Sequence, residues 1–431
     1  MALAWTLAFS ESTTLLDFFS TLNHRSRSNR FDSHQGRSSI EEAGPCPKDM
    51  ASSPPPTNAL RVLLVRGGAL TPYSGLGGAH RALVEHHEAG RFPDVSMLSV
   101  LEYPEQSSAL GRLRFRWSKH PKTVRTFCKK HLGPNDVVHI TDQEQAHLVP
   151  ARFPGRPKIM VTVHDLFHLF PHTVSVSGRG VHHHDEHVQV GDDSPGLARR
   201  FDLSKLRAGL GRADLLVCDS EHTRRMCSEA YPDVRTVAVP LGLETERYAP
   251  TGPQPKNSKF NLLYVGSADP RKRLRFLVEL LKGADDDFRQ TSVFHVVGDR
   301  SASAASLLQD LDMEVVVHSR LDDEAMMELR HKADLLLFPS AAEGFGYPPV
   351  ESMASGCQVL CSDLPAHNEL MPEGTCLPAG DVEAWSNALS GQHDAWRTSE
   401  EKLVDERLME HAQRFSSAVF VENMSAAYRS L

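Results

Sequence analysis

Two glutamates, Glu343 and Glu351, stand eight positions apart in the stretch "EGFGYPPVESMASGCQVLCSD" (343–363). Gly344, Gly346, Tyr347 and the pair Pro348–Pro349 lie between them. An ionised carboxylate accepts hydrogen bonds and donates none, so its natural partners here are sugar hydroxyls, one set on a ribose and one on a transferred hexose. Glycines at 344 and 346 let the main chain approach a ligand closely. Pro348 suits the first turn of a helix, and Gly356 is placed to end it. A helix starting near Gly346 and Tyr347 presents its first amides to an anion such as a pyrophosphate. The plain alternative is one surface glutamate and one that solvates a helix. The apolar run "ADLLLFPS" (333–340) just upstream supplies the strand–loop–helix context that favours a ligand site.

Such a loop needs a rigid frame. From residue 60 short apolar runs alternate with amphipathic stretches. "RVLLV" (61–65), "DVVHIT" (136–141), "KIMVTVHD" (158–165), "DLLVCDS" (214–220) and "TVAVPLG" (236–242) read as strands. A second series follows: "NLLYVGS" (261–267), "SVFHVVGD" (292–299), "EVVVHS" (314–319), "ADLLLFPS" and "CQVLCSD" (357–363), separated by helical segments at 273–282, 303–311 and 322–331. Continuous β-branched runs imply burial on both faces, hence parallel sheets covered by helices. The expected fold class is α/β: two Rossmann-like, doubly wound domains facing across a cleft. The expected boundaries are a disordered extension at 1–58, a first domain at 59–243, a Pro- and Gly-rich linker at 244–258, a second domain at 259–410 and a closing helix at 411–431. Residues 1–58 are rich in Ser, Pro and Arg and carry too little apolar surface to offset chain entropy; Met50 is read as a candidate start of translation.

The 431 residues carry 47 Lys and Arg against 55 Asp and Glu, a formal charge of −8, which argues against a general nucleic-acid binder. Seven cysteines without a C-x-x-C pair fit a reducing, cytoplasmic setting. No apolar run approaches the ~18 residues that span a bilayer.

The 343–363 stretch resembles the Glu-x7-Glu signature of retaining nucleotide-sugar glycosyltransferases of the GT-B fold, family 4 type. The resemblance covers residues 60–431 in architecture. It implies a nucleoside-diphosphate sugar donor, GDP- or UDP-linked, no cofactor and no divalent metal, with Glu343 beside the donor sugar and Glu351 by the ribose. In "YVGSADPRKRL" (264–274) a strand ends at Gly266, a helix is expected near Lys272, and Arg271 and Lys272 would meet the two donor phosphates. Many members carry Arg directly after that glycine; here the position is Ser267, a departure that Arg271 would compensate. Cations at a helix start oppose its dipole, which favours function over plain solvation. "TPYSGLGGAHRALVEH" (71–86) is similar to the family's glycine-rich turn, with Gly77 and Gly78 opening a helix from about Gly78 whose amides face the diphosphate. "VTVHDLFHLFP" (161–171) puts His164 and Asp165 at a strand end, where similar transferases hold a histidine near the reacting sugar; a strand-end histidine bonded to backbone is the alternative. Base recognition is expected near Gly298 and Arg320.

Two further stretches stand out. "VHHHDEH" (181–187) has adjacent histidines rather than metal-ligand spacing and lies in the polar stretch 171–197, which reads as a mobile loop at the cleft mouth without strand pattern. "RLRFRWSKHPKTVRTFCKKH" (112–131) holds eight basic residues and no acid, with Phe115 and Trp117 interleaved. It reads as a solvated helix face, or as a surface for anionic lipid or an anionic acceptor. The combined expectation is transfer of a sugar to a hydroxyl acceptor, a glycan or a lipid-linked one, with retention of configuration, in cell-surface polysaccharide or glycolipid synthesis. A nucleotide-sugar epimerase and a non-catalytic sugar- or lipid-binding scaffold are the alternatives.

Overall fold

The apolar runs of the sequence become the centres of two parallel sheets. The structure, a computed structural model, describes residues 59–66, 75–102, 108–177, 185–298, 301–318 and 321–431. The expectations for 1–58, for residues 71–74 of the glycine-rich turn, for His182–His184 and for Arg320 lie outside the described residues.

The first sheet has six strands: β1 (Leu60–Val65), β2 (Val95–Leu101), β3 (Val137–Ile140), β4 (Lys158–Val163), β7 (Leu215–Cys218) and β8 (Arg235–Ala238), in the order β2-β1-β3-β4-β7-β8. All its pairs are parallel. The second has five: β9 (Phe260–Val265), β10 (Ser292–Val297), β11 (Glu314–His318), β12 (Leu335–Phe338) and β13 (Gln358–Cys361), in the order β11-β10-β9-β12-β13, again parallel throughout. In chain order this is 3-2-1-4-5, the doubly wound arrangement, whose switch point lies between β9 and β12. Ligands in such sheets sit beyond the strand carboxyl ends at that point. The loops that follow β9 and β12 are those carrying Arg271–Lys272 and Glu343.

Strand interiors are dry because helices cover both faces. Val62, Leu64, Val137 and Met160 are enclosed by one layer, and Leu63, Val138, Ile159 and Val161 by the other. The chain crosses between lobes twice, side by side. Leu243 and Ser416 form a parallel bridge, with Leu243 N donating to Phe415 O (2.8 Å) and Ser417 N to Leu243 O (2.8 Å). The last helix, Ser417–Arg429, then packs Phe420, Val421, Met424 and Tyr428 onto the first sheet. Tyr428 Oη meets His139 Nδ1 at 2.8 Å and His87 Nε2 at 3.2 Å, which satisfies a hydroxyl that would otherwise be costly to bury.

The stretch 171–197 departs from the expected loop. β5 (His172–Val176) and β6 (Glu186–Val190) form an antiparallel hairpin. It is polar on one face because only one face finds a partner, and that partner is the other lobe: Val176 and Val188 pack on Ala341, and Val190 packs with Phe167 on Ala342. The alternation of apolar and polar residues in "HTVSV" and "EHVQV" is the signal for such a half-buried ribbon.

Candidate active site at the lobe junction

Strand β9 ends at Val265 and Gly266, which is buried; an added Cβ there would lie 2.4 Å from the Tyr264 hydroxyl. Ser267 is exposed. The chain then makes a 3-10 turn, Pro270–Lys272, capped by Asp269, whose carboxylate accepts from Arg271 N (3.1 Å). The α-helix begins only at Leu274, after Arg273 in a left-handed conformation (φ 54°, ψ 42°). Arg271 and Lys272 therefore sit on a tight turn rather than on the helix itself. A non-glycine residue at positive φ needs support from its surroundings. Arg273 has it: its guanidinium donates to Pro339 O (3.1 Å), to Ala379 O (2.8 Å) and, across the lobe junction, to Glu186 Oε2 (2.8 Å).

Strand β12 delivers the facing loop. Ala341 N donates to Arg271 O (2.7 Å), and the Arg271 guanidinium donates through Nη1 to Ala342 O (2.7 Å), so the two loops are stitched together by one main-chain and one side-chain bond. Glu343 follows, buried, between both cations: Lys272 Nζ to Oε1 at 2.5 Å and Arg271 Nη1 to Oε2 at 2.8 Å. Burial alone would raise the Glu343 carboxyl, but the Lys272 ammonium and the Arg271 guanidinium outweigh it and pull it down to about 2. Burial lowers the Lys272 ammonium, an effect that Glu343 opposes. Burial also works against the Arg271 guanidinium, but Glu343 and Asp269 more than offset it and hold it above its ordinary value. Arg271 also lies over the Phe167 ring of the first lobe, 5.3 Å from its centroid.

Gly344 is where the lobes touch. A Cβ placed there would lie 1.8 Å from the carbonyl oxygen of His164 and 3.1 Å from Asp165 Cβ. Ser220 Oγ, at the start of the helix Glu221–Ala230, donates to Gly344 O (2.7 Å). Glu369 of the second lobe reaches the same helix start, accepting from Glu221 N (2.6 Å) and His222 N (2.7 Å); a carboxylate there satisfies amides that have no partner within the helix. Gly346 caps the helix Tyr347–Ala354 at φ 127°, ψ 72°, a conformation open to glycine alone. Gly356, at φ 71°, ends that helix.

His164 is not free to act through its ring. Nδ1 lies 2.5 Å from Asp219 Oδ2 and Nε2 lies 3.2 Å from Thr141 O. Both nitrogens face acceptors, so both carry protons. Burial favours neutral imidazole, but Asp219 more than offsets it and raises His164 to about 9. What His164 presents to the second lobe is its main-chain carbonyl, in contact with Gly344.

Glu351 stands apart from the Glu343 group. Tyr248 Oη donates to Oε1 (3.2 Å), and Arg330, a buried residue of the helix Asp323–Lys332, bonds Oε2. Tyr347 is half-buried, and burial, then Asp219 and Glu351, push its phenol up. Gly77 and Gly78 lie in the first turn of the helix Gly75–Glu88, which is already helical at Gly75, upstream of the expected Gly78. Gly298, at φ 100°, packs on the Gly266 carbonyl, which a Cβ would approach to 2.6 Å. The partners Tyr248, Arg330, Asp219, Ser220 and Glu186 carry no local motif. Their roles come from tertiary placement, and the only sequence cue was a tyrosine and an arginine in otherwise plain segments. Among the described residues no cluster of three His, Cys, Asp or Glu side chains is placed to hold a metal.

Comparisons with known proteins agree with this geometry at the level of fold. Residues 259–392 match the sequence family described as "Glycosyl transferases group 1". The solved structure of Anabaena HepE in complex with UDP superposes with a TM-score of 0.59 at 16% identity, covering 86% of this chain and 100% of that one. Sucrose-phosphate synthase from Thermosynechococcus elongatus superposes at 0.60 and 17% identity, covering 86% and 98%. The fold is GT-B. At the level of sequence, the GT-B chain is 30% identical over 142 residues to the O-antigen chain mannosyltransferase RfbU of Salmonella typhimurium, covering 32% of this chain and 39% of that one. It is 27% identical over 236 residues to O-antigen chain mannosyltransferase B of Escherichia coli, covering 50% and 61%. The aligned stretches thus span less than two thirds of these relatives.

Proposed function

We propose that this protein moves a sugar from a nucleoside-diphosphate sugar to a hydroxyl acceptor, in the synthesis of a cell-surface polysaccharide or glycolipid. The observation that carries the reading is the junction of Arg271, Lys272 and Glu343 at the switch point of the second sheet, facing the first lobe. Two cations on a fixed turn suit the two phosphates of the donor and stabilise charge on the departing diphosphate. Glu343 orients the donor sugar and Glu351 the ribose. Gly266, Ser267, Gly346, Tyr347 and, from the other lobe, Gly77 and Gly78 line the diphosphate path. The bond from the anomeric carbon to the phosphate oxygen breaks, and a bond from that carbon to the acceptor oxygen forms on the same face. The acceptor proton passes to the departing diphosphate, so configuration is retained. His164 contributes through its main-chain carbonyl, which the imidazolium–Asp219 pair holds in place. The family match over 259–392 supports the donor lobe, and the mannosyl relatives favour a hexose.

The acceptor is proposed to be a glycan or a lipid-linked saccharide at an anionic membrane surface. The basic stretch 112–131 is helical, in two α-segments, Ala109–Arg114 and His120–His131, joined by a π-helical segment at Phe115–Lys119. Leu110 and Leu113 on the first of these, and Leu197 and Phe201 on the adjoining helix Leu197–Leu210, are exposed beside its cations. Apolar side chains ringed by Lys and Arg suit peripheral contact with anionic lipid. Among the described residues no helix is long and apolar enough to cross a membrane.

The test is a thermal-shift screen with UDP, GDP, ADP and their sugars, followed by transfer assays in which NMR reads the anomeric configuration of the product. A stabilising donor and a product of retained configuration are expected. Conversion of the donor without any acceptor would instead identify an epimerase, and nucleotide binding without turnover a scaffold.

A further inference from the structure

We infer that the Glu343 carboxylate is an internal place-holder for the donor diphosphate: in the empty site it occupies the cations that the diphosphate takes over, and donor binding hands it to the sugar. This rests on the donor-site reading above and adds how that site is loaded. Both Glu343 oxygens are engaged, Oε1 by Lys272 and Oε2 by Arg271. The ammonium and the guanidinium take about two of the four acceptor sites of the carboxylate, and Glu343 is buried between them. The side chain is therefore held away from a sugar until those cations have another anion.

The arrangement is suited to exchange. The Arg271–Lys272 turn brings two positive charges against one carboxylate at the buried contact, with Asp269 on the outer side of Arg271. A diphosphate is multiply charged and offers several acceptor oxygens, so it competes well for both cations. The backbone beside Glu343 is fixed during the exchange. Ala341 N and the Ala342 carbonyl are bonded to Arg271, and the Gly344 carbonyl is bonded to Ser220 of the first lobe. The handover is thus a movement of the side chain from cation to sugar, with its Cα held between the two lobes. Two consequences follow. Without donor the two cations are neither left unpaired in a buried setting, which would be costly, nor open to arbitrary anions. A free sugar meets a Glu343 carboxylate still drawn onto its cations, which orders loading as donor phosphate first and sugar orientation second.

The prediction runs against the ordinary expectation that deleting a binding residue weakens binding. Glu343→Gln keeps the shape but removes the competing charge. Calorimetric titration with UDP, GDP and ADP, and with inorganic pyrophosphate as a base-independent probe, compares wild type, Glu343→Gln, Glu343→Asp and Lys272→Met. Expected are nucleoside-diphosphate and pyrophosphate binding at least about tenfold tighter in Glu343→Gln, equivalent to about 1.4 kcal/mol, and weaker in Lys272→Met, while sugar transfer by Glu343→Gln is lost. Glu343→Asp retracts the carboxylate by one methylene and is expected to fall between wild type and Gln; it carries the test should the Gln variant fold poorly. If wild type binds a nucleoside diphosphate and both Glu343 variants bind it no more tightly, the place-holder role is overturned and the donor site stands. If none of the four proteins binds any of the probes, both fall together.

Discussion

Gly344→Ala is the substitution whose effect follows most directly from a distance. The added methyl would lie 1.8 Å from the His164 carbonyl oxygen and 3.1 Å from Asp165 Cβ. A carbon and a carbonyl oxygen approach no closer than about 3.3 Å without strain, so the loop must retreat by roughly 1.5 Å. The obstructing atom is backbone on a buried strand end, which cannot swing aside as a flexible side chain would. The retreat breaks the Ser220–Gly344 hydrogen bond and draws Glu343 out of register with the first lobe. Misplacement of a reacting group by about 1 Å costs on the order of 10²-fold in rate, and a drop of that size or more in turnover is expected. Each lobe keeps its own hydrophobic core, so the melting temperature should change little. Initial-rate transfer assays and calorimetric melting measure the two quantities. Gly391→Ala is the control: it lies in the helix Val382–Thr398 with nothing within 4 Å of the new Cβ, and is expected to retain activity and gain roughly 0.5–1 kcal/mol of stability. Turnover by Gly344→Ala within a few-fold of wild type would refute the lobe-contact reasoning.

Other outcomes follow from the remaining geometry. Arg330→Met leaves Glu351 with Tyr248 alone and should weaken nucleotide-sugar affinity severalfold with the lobe cores intact, read by titration and melting. Tyr428→Phe removes the hydroxyl shared by His139 and His87 and should cost about 1–3 kcal/mol by chemical denaturation. His87 and His139 are lowered by burial to about 4 and about 3. The unfolded chain takes up these protons near pH 6.5 while the folded chain resists until pH 3–4. Stability should therefore fall as pH drops from about 6.5 and level off below about 3; a flat profile across that window would contradict their buried, neutral state. Glu186→Ala frees the hairpin from Arg273 and should raise donor hydrolysis relative to transfer, measured as released sugar without acceptor, because lobe closure is what excludes water.

The second sheet was the more legible half. Four of its strands are largely apolar runs buried along nearly their whole length, the edge strand β11 is only partly buried, and the loops after β9 and β12 carry charged residues beyond the strand carboxyl ends. Lys272 and Glu343 were readable for that reason, although their direct ion pair was not, because nothing local brings residues 71 positions apart together. β2 escaped notice: "VSMLSVL" is a half-buried edge strand and lacks the continuous apolar run of its neighbours. The β5–β6 hairpin was hidden by its histidines and by the fact that its apolar face is completed by Ala341 and Ala342 of the other lobe. The helix expected near Lys272 begins two residues later, since Arg273 takes a left-handed turn that depends on distant carbonyls and on Glu186. Glu351 looked like a twin of Glu343 from spacing alone. Its partners Arg330 and Tyr248 come from a surface-reading helix and from the linker, where pattern gives no hint of a buried contact.

The proposed donor site stands on Arg271 and Lys272 holding the diphosphate of a nucleotide sugar between the two lobes. Titration of wild type and Lys272→Ala with the nucleoside diphosphate that stabilises the protein puts this to the test. Binding to wild type and a loss of at least a hundredfold in affinity for Lys272→Ala are expected; equal affinity in the two proteins would overturn the assignment.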